Sequence, residues 1–165
     1  MMKRSHALIG AAAGVATAKA MGDSMLAGGV VACLAAVLPD LDHPSSVVGR
    51  LLPRWWHRLT PGHRGVTHSL AWCVALALLV DVAQSLTVGG DTGPLLAFAV
   101  LAGALSHVVA DGLTVAGVPL WWPWRRRRVV FLGALAFPTH SWREHVVVLG
   151  VLVGVAYWVA GGQLP

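Results

Sequence analysis

The sequence predicts an all-α fold, a compact membrane-embedded bundle of about five helices forming a single domain over residues 1–165. Three observations predict it. Charged residues make up 12% of the chain and its mean hydropathy is +0.70, whereas a soluble domain carries about 25% charged residues. The apolar residues gather in five runs separated by short polar stretches. Several of the 8 tryptophans (Trp55, Trp56, Trp121, Trp122 and Trp124) stand where an apolar run meets a basic cluster, as interfacial aromatics do.

The elements follow in order. The first run spans Ala7 to Ala20 and the second Met25 to Leu38. Both are short for the roughly 17–25 residues that cross a bilayer, and both are rich in Ala and Gly, which permit close helix approach in lipid. They read as a tight hairpin. Lys3 and Arg4 ahead of an apolar run resemble a secretory leader, but His6 heads the run, which continues past Met21-Gly22-Asp23-Ser24 into the second; a retained hairpin is expected. The third run, Val66 to Leu86, and the fourth, Pro94 to Asp111, are long enough to span, and the fifth runs from Val146 to Ala160. Cys33 and Cys73 lie inside apolar runs and form no CxxC, so neither a disulfide framework nor a thiolate site is expected.

Basic residues set the expected topology. Arg50, Arg54, Arg58 and Arg64 lie in one polar region, and Arg125 to Arg128 with Arg143 in another; the remaining connections hold no Lys or Arg. The positive-inside rule then places the N-terminus and both basic loops in the cytoplasm and the C-terminus outside. The net charge of +5 accordingly implies membrane lipids as partners, with anionic head groups at Arg125–Arg128, and no nucleic acid. In this topology the potential ligands of all five segments share one level of the membrane.

Two segments carry the chemistry. Leu38-Pro39-Asp40-Leu41-Asp42-His43 follows the second run, and His63-Arg64-Gly65-Val66-Thr67-His68-Ser69 opens the third. Together they hold two of the 7 acids and three of the 8 histidines in a chain that otherwise avoids such groups. Burying them costs free energy unless they are paired or bound to a metal. Pro39 ends the preceding helix, and carboxylates at a helix C-terminus are disfavoured without a cation; the competing reading is that Asp40 and Asp42 only cap a turn. Gly65 allows an unusual turn, Thr67 or Ser69 can cap the following helix, and Arg64 offers a bidentate donor to a phosphate. His107 and Asp111 stand i,i+4 on one face of the fourth helix. His6 falls at the same depth. His140 and Glu144 precede the fifth run, where Ser141 and Glu144 have capping-box spacing; Glu144 is either an additional ligand or a cap. His57, inside Arg54-Trp55-Trp56-His57-Arg58, is not expected to bind metal. No dinucleotide fingerprint, Walker A sequence or GxSxG elbow occurs.

The order His6, Pro-Asp-Leu-Asp-His at 39–43, His-Arg-Gly-Val-Thr-His-Ser at 63–69 and His107 to Asp111 resembles the YdjM-like family of bacterial inner-membrane proteins over nearly the whole chain. The resemblance implies a metal-dependent hydrolase; the name LexA-binding, also attached to the family, implies a protein partner. Family members tend to read Thr-Gly-Ser-x-x-Glu before the last helix, where this chain has Thr139-His140-Ser141-Trp142-Arg143-Glu144. A remoter resemblance in layout and ligand type is to the zinc-dependent phospholipase C and single-strand nuclease superfamily, which hydrolyses phosphodiesters with clustered zinc ions.

The resulting expectation is a membrane-bound metal-dependent hydrolase acting on phosphoester bonds of a lipid or lipid-linked substrate. The expected metal ligands are His6, Asp40, Asp42, His43, His63, His68, His107 and Asp111, with Glu144 as a further candidate. Two or three divalent ions are expected, zinc foremost from the His/Asp mixture. Asp40 or Asp42 is expected to act as general base and Arg64 to steady the phosphate. The alternative is a non-catalytic binding or regulatory protein with a structural metal, although such sites usually employ Cys. Ligands at one end of the bundle argue against transport, which favours the bilayer midplane.

Overall fold

The computed structural model describes residues 1–46, 48–60, 64–87 and 93–161. It is all-helical in these residues, with no named strand. The helices are α1 (Lys3–Met21), α2 (Met25–Ala35), α3 (Arg54–Leu59), α4 (Leu70–Thr87), α5 (Leu95–Gly112) and α6 (Trp142–Val159). Five long helices thus match the five apolar runs, and the short α3 lies in the first basic region. Among the described residues, four stretches are long and apolar enough to cross a membrane: Met25–Asp42, Leu70–Thr87, Leu95–Gly112 and Trp142–Val159. Helix α1, with Lys3, Arg4 and Lys19, is not among them.

Helix α1 packs on α2, α5 and α6, while α5 also packs on α2 and α4. The α1–α2 turn is made by Gly22, which takes the left-handed conformation (φ 68°) and closes α1 with bonds to the Ala18 and Lys19 carbonyls. Ser24 then caps α2, accepting from Ala27 N. The three central helices meet backbone to backbone. A Cβ on Gly14 would fall on the Gly28 carbonyl, one on Gly28 against Gly14 O and Ala18, and one on Gly103 on the Ala32 backbone. With no water to expel between helices in lipid, such close van der Waals contact is what holds a pair together.

The outward faces are apolar. Leu26, Val30 and Leu34 of α2, Leu78, Leu79 and Leu86 of α4, and Leu149 and Val153 of α6 are all exposed. An exterior of this kind suits lipid, because soluble monomers rarely expose contiguous apolar patches of this extent. The buried set contains many polar groups: Ser5, His6, Asp42, Arg64, Thr67, His68, His107, Asp111, Thr114 and Glu144. They collect where α1, α4 and α6 begin and α2 and α5 end.

That end is closed by an ordered segment between α5 and α6, which the hydropathy pattern shows only as a polar, basic loop. Val118 and Val129 exchange backbone hydrogen bonds at 3.0 and 2.8 Å, Phe131 N donates to Gly112 O, and Val115 N donates to Phe137 O. Phe137 is fully buried against Ile9, Ala110 and Val148. Leu70 N, at the head of α4, donates to Leu120 O, so the segment ties α4 to α5.

Replacing Gly103 by Val is expected to cost about 1–3 kcal/mol or more, as overpacking does. Gly154, which has nothing within 4 Å of a built Cβ, should tolerate Ala with no loss, or a gain of up to about 1 kcal/mol. Denaturation of the two variants in detergent micelles checks the contrast.

Candidate metal centre

The centre starts from the close contact of α2 and α5. One turn beyond the Gly103–Ala32 contact, His107 meets Ala36, and the His107 Nδ1–H donates to the Ala36 carbonyl at 2.6 Å. The tautomer is thereby set, and His107 presents the Nε2 lone pair inward. His6, from the first turn of α1, stacks on the His107 ring with centroids 3.6 Å apart.

His68 arrives from the other side. It lies in a 3-10 turn, Val66–His68, ahead of α4, and Ser69 then caps α4, its Oγ accepting from Trp72 N. Of the two residues the sequence offered as caps, Ser69 takes the role and Thr67 turns inward. The Thr67 hydroxyl donates to Asp42 Oδ2 at 2.7 Å, and Gly65 N donates to the same oxygen at 3.0 Å. With its one hydrogen committed to Asp42, the Thr67 oxygen accepts from His68 Nδ1 at 3.1 Å. His68, like His107, therefore turns an Nε2 lone pair to the centre. The two Nε2 atoms are 3.3 Å apart.

Two nitrogens that face each other as acceptors repel unless a metal ion or a proton lies between them. Ligands held at 2.0–2.1 Å by one tetrahedral zinc lie about 3.3 Å apart. Carboxylates complete the ring. Asp40 Oδ1 is 3.7 Å from His107 Nε2 and 3.9 Å from His68 Nε2. Asp111 Oδ2 is 3.8 and 3.6 Å from the same atoms. Among the described residues, two groups could hold a metal ion, His6–His107–Asp111 and Asp40–His68–His107. They share His107, so they form one centre. The donor set of imidazole nitrogen and carboxylate oxygen without thiolate fits a borderline or hard divalent ion.

Asp111 ties the centre to its surroundings. Its Oδ1 lies 3.3 Å from His6 Nε2 and contacts the Met1 amino group; its Oδ2 meets Arg64 Nε at 2.8 Å. Arg64 Nη1 donates onward to Thr114 Oγ1 at 3.0 Å and Thr114 to Asp111 O at 2.7 Å. Arg64 reaches Asp111 from a left-handed backbone, φ 62°. Gly65, which the sequence offered for an unusual turn, has φ −91° and ψ −138°, outside the helical and extended regions, and its N–H holds Asp42.

The sequence-derived candidates separate in the structure. His6, Asp40, His68, His107 and Asp111 converge. Asp42 stands behind His68, with Nδ1 to Oδ2 at 3.6 Å, as a carboxylate that orients a ligand. His43 lines a cavity of about 120 Å³ together with Met1, Lys3, His6, Asp40, Ser46 and Asp111, while its Nδ1 meets Ser45; it belongs to neither metal-capable group. His63 lies outside the described residues. Glu144 is fully buried and accepts from Met2 N, Ser5 Oγ and His140 N. It joins α1 to the residue ahead of α6, and the Ser141 side chain makes no capping bond. His57 bonds to Gly49 O and takes no part. Thr67, Thr114 and Ser46, whose Oγ donates to Asp40 O at 2.7 Å, were not singled out as site residues, because a lone hydroxyl in an apolar chain carries no spacing signal.

His140 also has a left-handed backbone, φ 68°. This explains why a glycine suits that position in the related Thr-Gly-Ser-x-x-Glu pattern. His140→Gly is expected to raise stability by up to about 1 kcal/mol and leave metal content unchanged; thermal unfolding in detergent with elemental analysis checks both.

The chain matches the family described as "YdjM inner membrane protein" over residues 1–164, and it belongs to that family. It is 41% identical over 101 residues to the inner membrane protein YdjM of Escherichia coli (strain K12), covering 58% of this chain and 49% of that protein, and equally to the Shigella flexneri protein of the same name. These alignments span about half the length of the curated relatives. The uncharacterized protein YvsG of Bacillus subtilis (strain 168) is 26% identical over 163 residues, covering 96% of this chain and 94% of that one. No solved structure matches.

Proposed function

We propose that this membrane protein of the YdjM family is a metal-dependent hydrolase of phosphoester bonds in a lipid or lipid-linked substrate, with its site facing the cytoplasm. The observation that carries the reading is the pair of Nε2 lone pairs of His68 and His107, 3.3 Å apart and ringed by Asp40 and Asp111. His68, His107 and Asp111 would hold the first ion, zinc foremost, leaving its fourth position to water, and His6 with Asp111 would extend the centre toward a second. A bound ion of this class supplies a water acidic enough to act as a nucleophile near neutral pH.

The chain's own residues prepare the site. Ala36 O and the Thr67–Asp42 pair fix the two imidazoles, so no reorientation is needed on binding. Arg64 holds one Asp111 oxygen in place. Asp40, whose side chain is 15% exposed, borders the small cavity beside His6 and His43; it is the carboxylate placed to take a proton from water entering there. Asp42, buried behind His68, acts as a positioning residue. The basic loops on the same side of the bundle support the cytoplasmic orientation.

One observation favours a different reading. Arg64 and the Met1 amine both engage Asp111, which partly neutralises the centre within the chain. A binding or regulatory protein with a structural ion, docking a protein partner, would need no more.

Purified protein is expected to carry at least one equivalent of a divalent metal by elemental analysis, and Asp111→Ala to lose it. Asp42→Asn should weaken metal affinity about 10–100-fold, the usual cost of losing a ligand's orienting partner, while retaining the fold. Hydrolysis of phospholipid or generic phosphodiester substrates should vanish with chelator and return with zinc or manganese. A fully metallated protein that turns over none of a broad substrate panel would favour the structural-ion reading. A reporter fused after residue 165 should report the periplasm; a cytoplasmic signal would overturn the orientation.

A further inference from the structure

A second cavity, of about 400 Å³, lies beside the metal centre and is lined by Thr60, Arg64, Gly65, Val66, Pro119, Trp122, Arg126 and Arg128. Three of these are arginines, and the lining holds no acid. Arg64 is paired with Asp111, so the charges left for an incoming anion are those of the exposed Arg126 and Arg128, and the guanidinium fork suits phosphate oxygens above other anions. The cavity is not an isolated basic patch. Arg64 lines it and also contacts Asp111 Oδ2 at 2.8 Å, so one side chain joins the cavity to the metal-capable cluster.

The rest of the wall is anchored. Arg128 Nη1 donates to Ala116 O at 3.2 Å, and the Val118–Val129 bridge fixes the segment that bears both Arg126 and Arg128. Pro119 and Trp122 come from the same segment. Trp121 and Trp124 next to them are exposed, which places the cavity mouth beside aromatics of the kind that sit at a membrane–water interface.

We propose that Arg64, Arg126 and Arg128, with Trp122, form a phosphate-recognition pocket that takes the phosphorylated head group of an anionic lipid from the membrane surface and presents it to the centre at Asp111. The pocket rests on the hydrolase reading for its purpose but not for its binding. It narrows that reading to substrates whose phosphate carries net negative charge. Arg125 and Arg127, in the same run but outside the cavity lining, serve only the general attraction of the surface.

The test uses the full chain in phosphatidylcholine nanodiscs, titrated calorimetrically with short-chain phosphatidic acid and, separately, with inorganic phosphate. Arg126→Gln with Arg128→Gln should weaken phosphatidic acid binding at least tenfold with metal content unchanged. Arg125→Gln with Arg127→Gln removes the same charge from the same loop and should leave binding within about twofold. Competition by inorganic phosphate would assign recognition to the phosphate alone. Binding of the lipid without such competition would assign it to the head group together with its glycerol and chains; either result supports the pocket. Arg126→Lys with Arg128→Lys, which keeps the charge and lacks the fork, guards against misfolding and should bind at an intermediate level. Equal weakening by both Gln pairs, or none by either, would overturn the pocket and leave only surface charge. Lipid binding by the unsubstituted, fully metallated protein without any turnover would count against the hydrolase reading and leave the pocket standing.

Discussion

The approach of α5 to α2 is the constraint on which the centre depends. Gly103 lies against the Ala32 backbone so closely that no side chain fits. Because both helices advance by about 3.6 residues per turn, the next turn brings His107 to the Ala36 carbonyl at 2.6 Å. A wider crossing would leave that carbonyl, at the frayed end of α2, and the His107 Nδ1–H without each other. The imidazole would then lose its fixed tautomer. Packing by small residues and orientation of a metal-binding group are therefore one structural decision. Gly14 and Gly28 extend the same logic to α1, which delivers His6 onto the His107 ring.

The second constraint is the burial of Asp111. A carboxylate almost wholly removed from water is costly unless it is paired on all sides. Here its oxygens meet Arg64, His6 and the Met1 amine, with His68 and His107 close by. Arg64 in turn takes a left-handed backbone and is held by Thr114. Strain of about 1–3 kcal/mol at a non-glycine residue persists only where its surroundings hold it, and it is Asp111 and Thr114 that hold this one. The segment after α5 therefore does more than connect helices: Thr114 belongs to it, and through Arg64 it reaches the centre.

Much of this was legible in the sequence, for physical reasons that differ by residue. The five long helices follow from apolar runs of sufficient length. His107 and Asp111 were legible because two ionisable groups spaced i,i+4 in an apolar helix are costly to keep in lipid unless they serve one site. His6, Asp40 and His68 were legible only through topology, which puts the ends of their segments at one level. The division of labour between Asp40 and Asp42 was not legible. Neighbouring carboxylates in a short turn look alike until the fold decides which faces the centre and which faces Thr67. The ordered cap over residues 113–141 was hidden as well, because its bonds pair residues such as Gly112 with Phe131 and Val115 with Phe137, which no periodicity marks. Glu144 had two readings, and the donors that settled its role, Met2 and Ser5, lie at the far end of the chain.

The antiparallel order of the helices accounts for where the charges sit. Asp40 and Asp42 follow the C-terminal end of α2 and Asp111 closes α5, positions that a helix dipole makes unfavourable for anions. His6 and His68 sit near the N-terminal ends of α1 and α4, positions unfavourable for cations. The acids of α2 and α5 thus lie where their own helix dipoles resist them. Alternating directions bring two of them to the positive ends of neighbours: Asp111 meets the start of α1, and Asp42 accepts from Gly65 N ahead of α4. Glu144, at the positive end of α6, also lies against the start of α1 and collects backbone and hydroxyl donors there. A divalent ion held between His68 and His107 would stabilise the acids of α2 and α5 further, and that separates this end of the bundle from an ordinary helix-capping network.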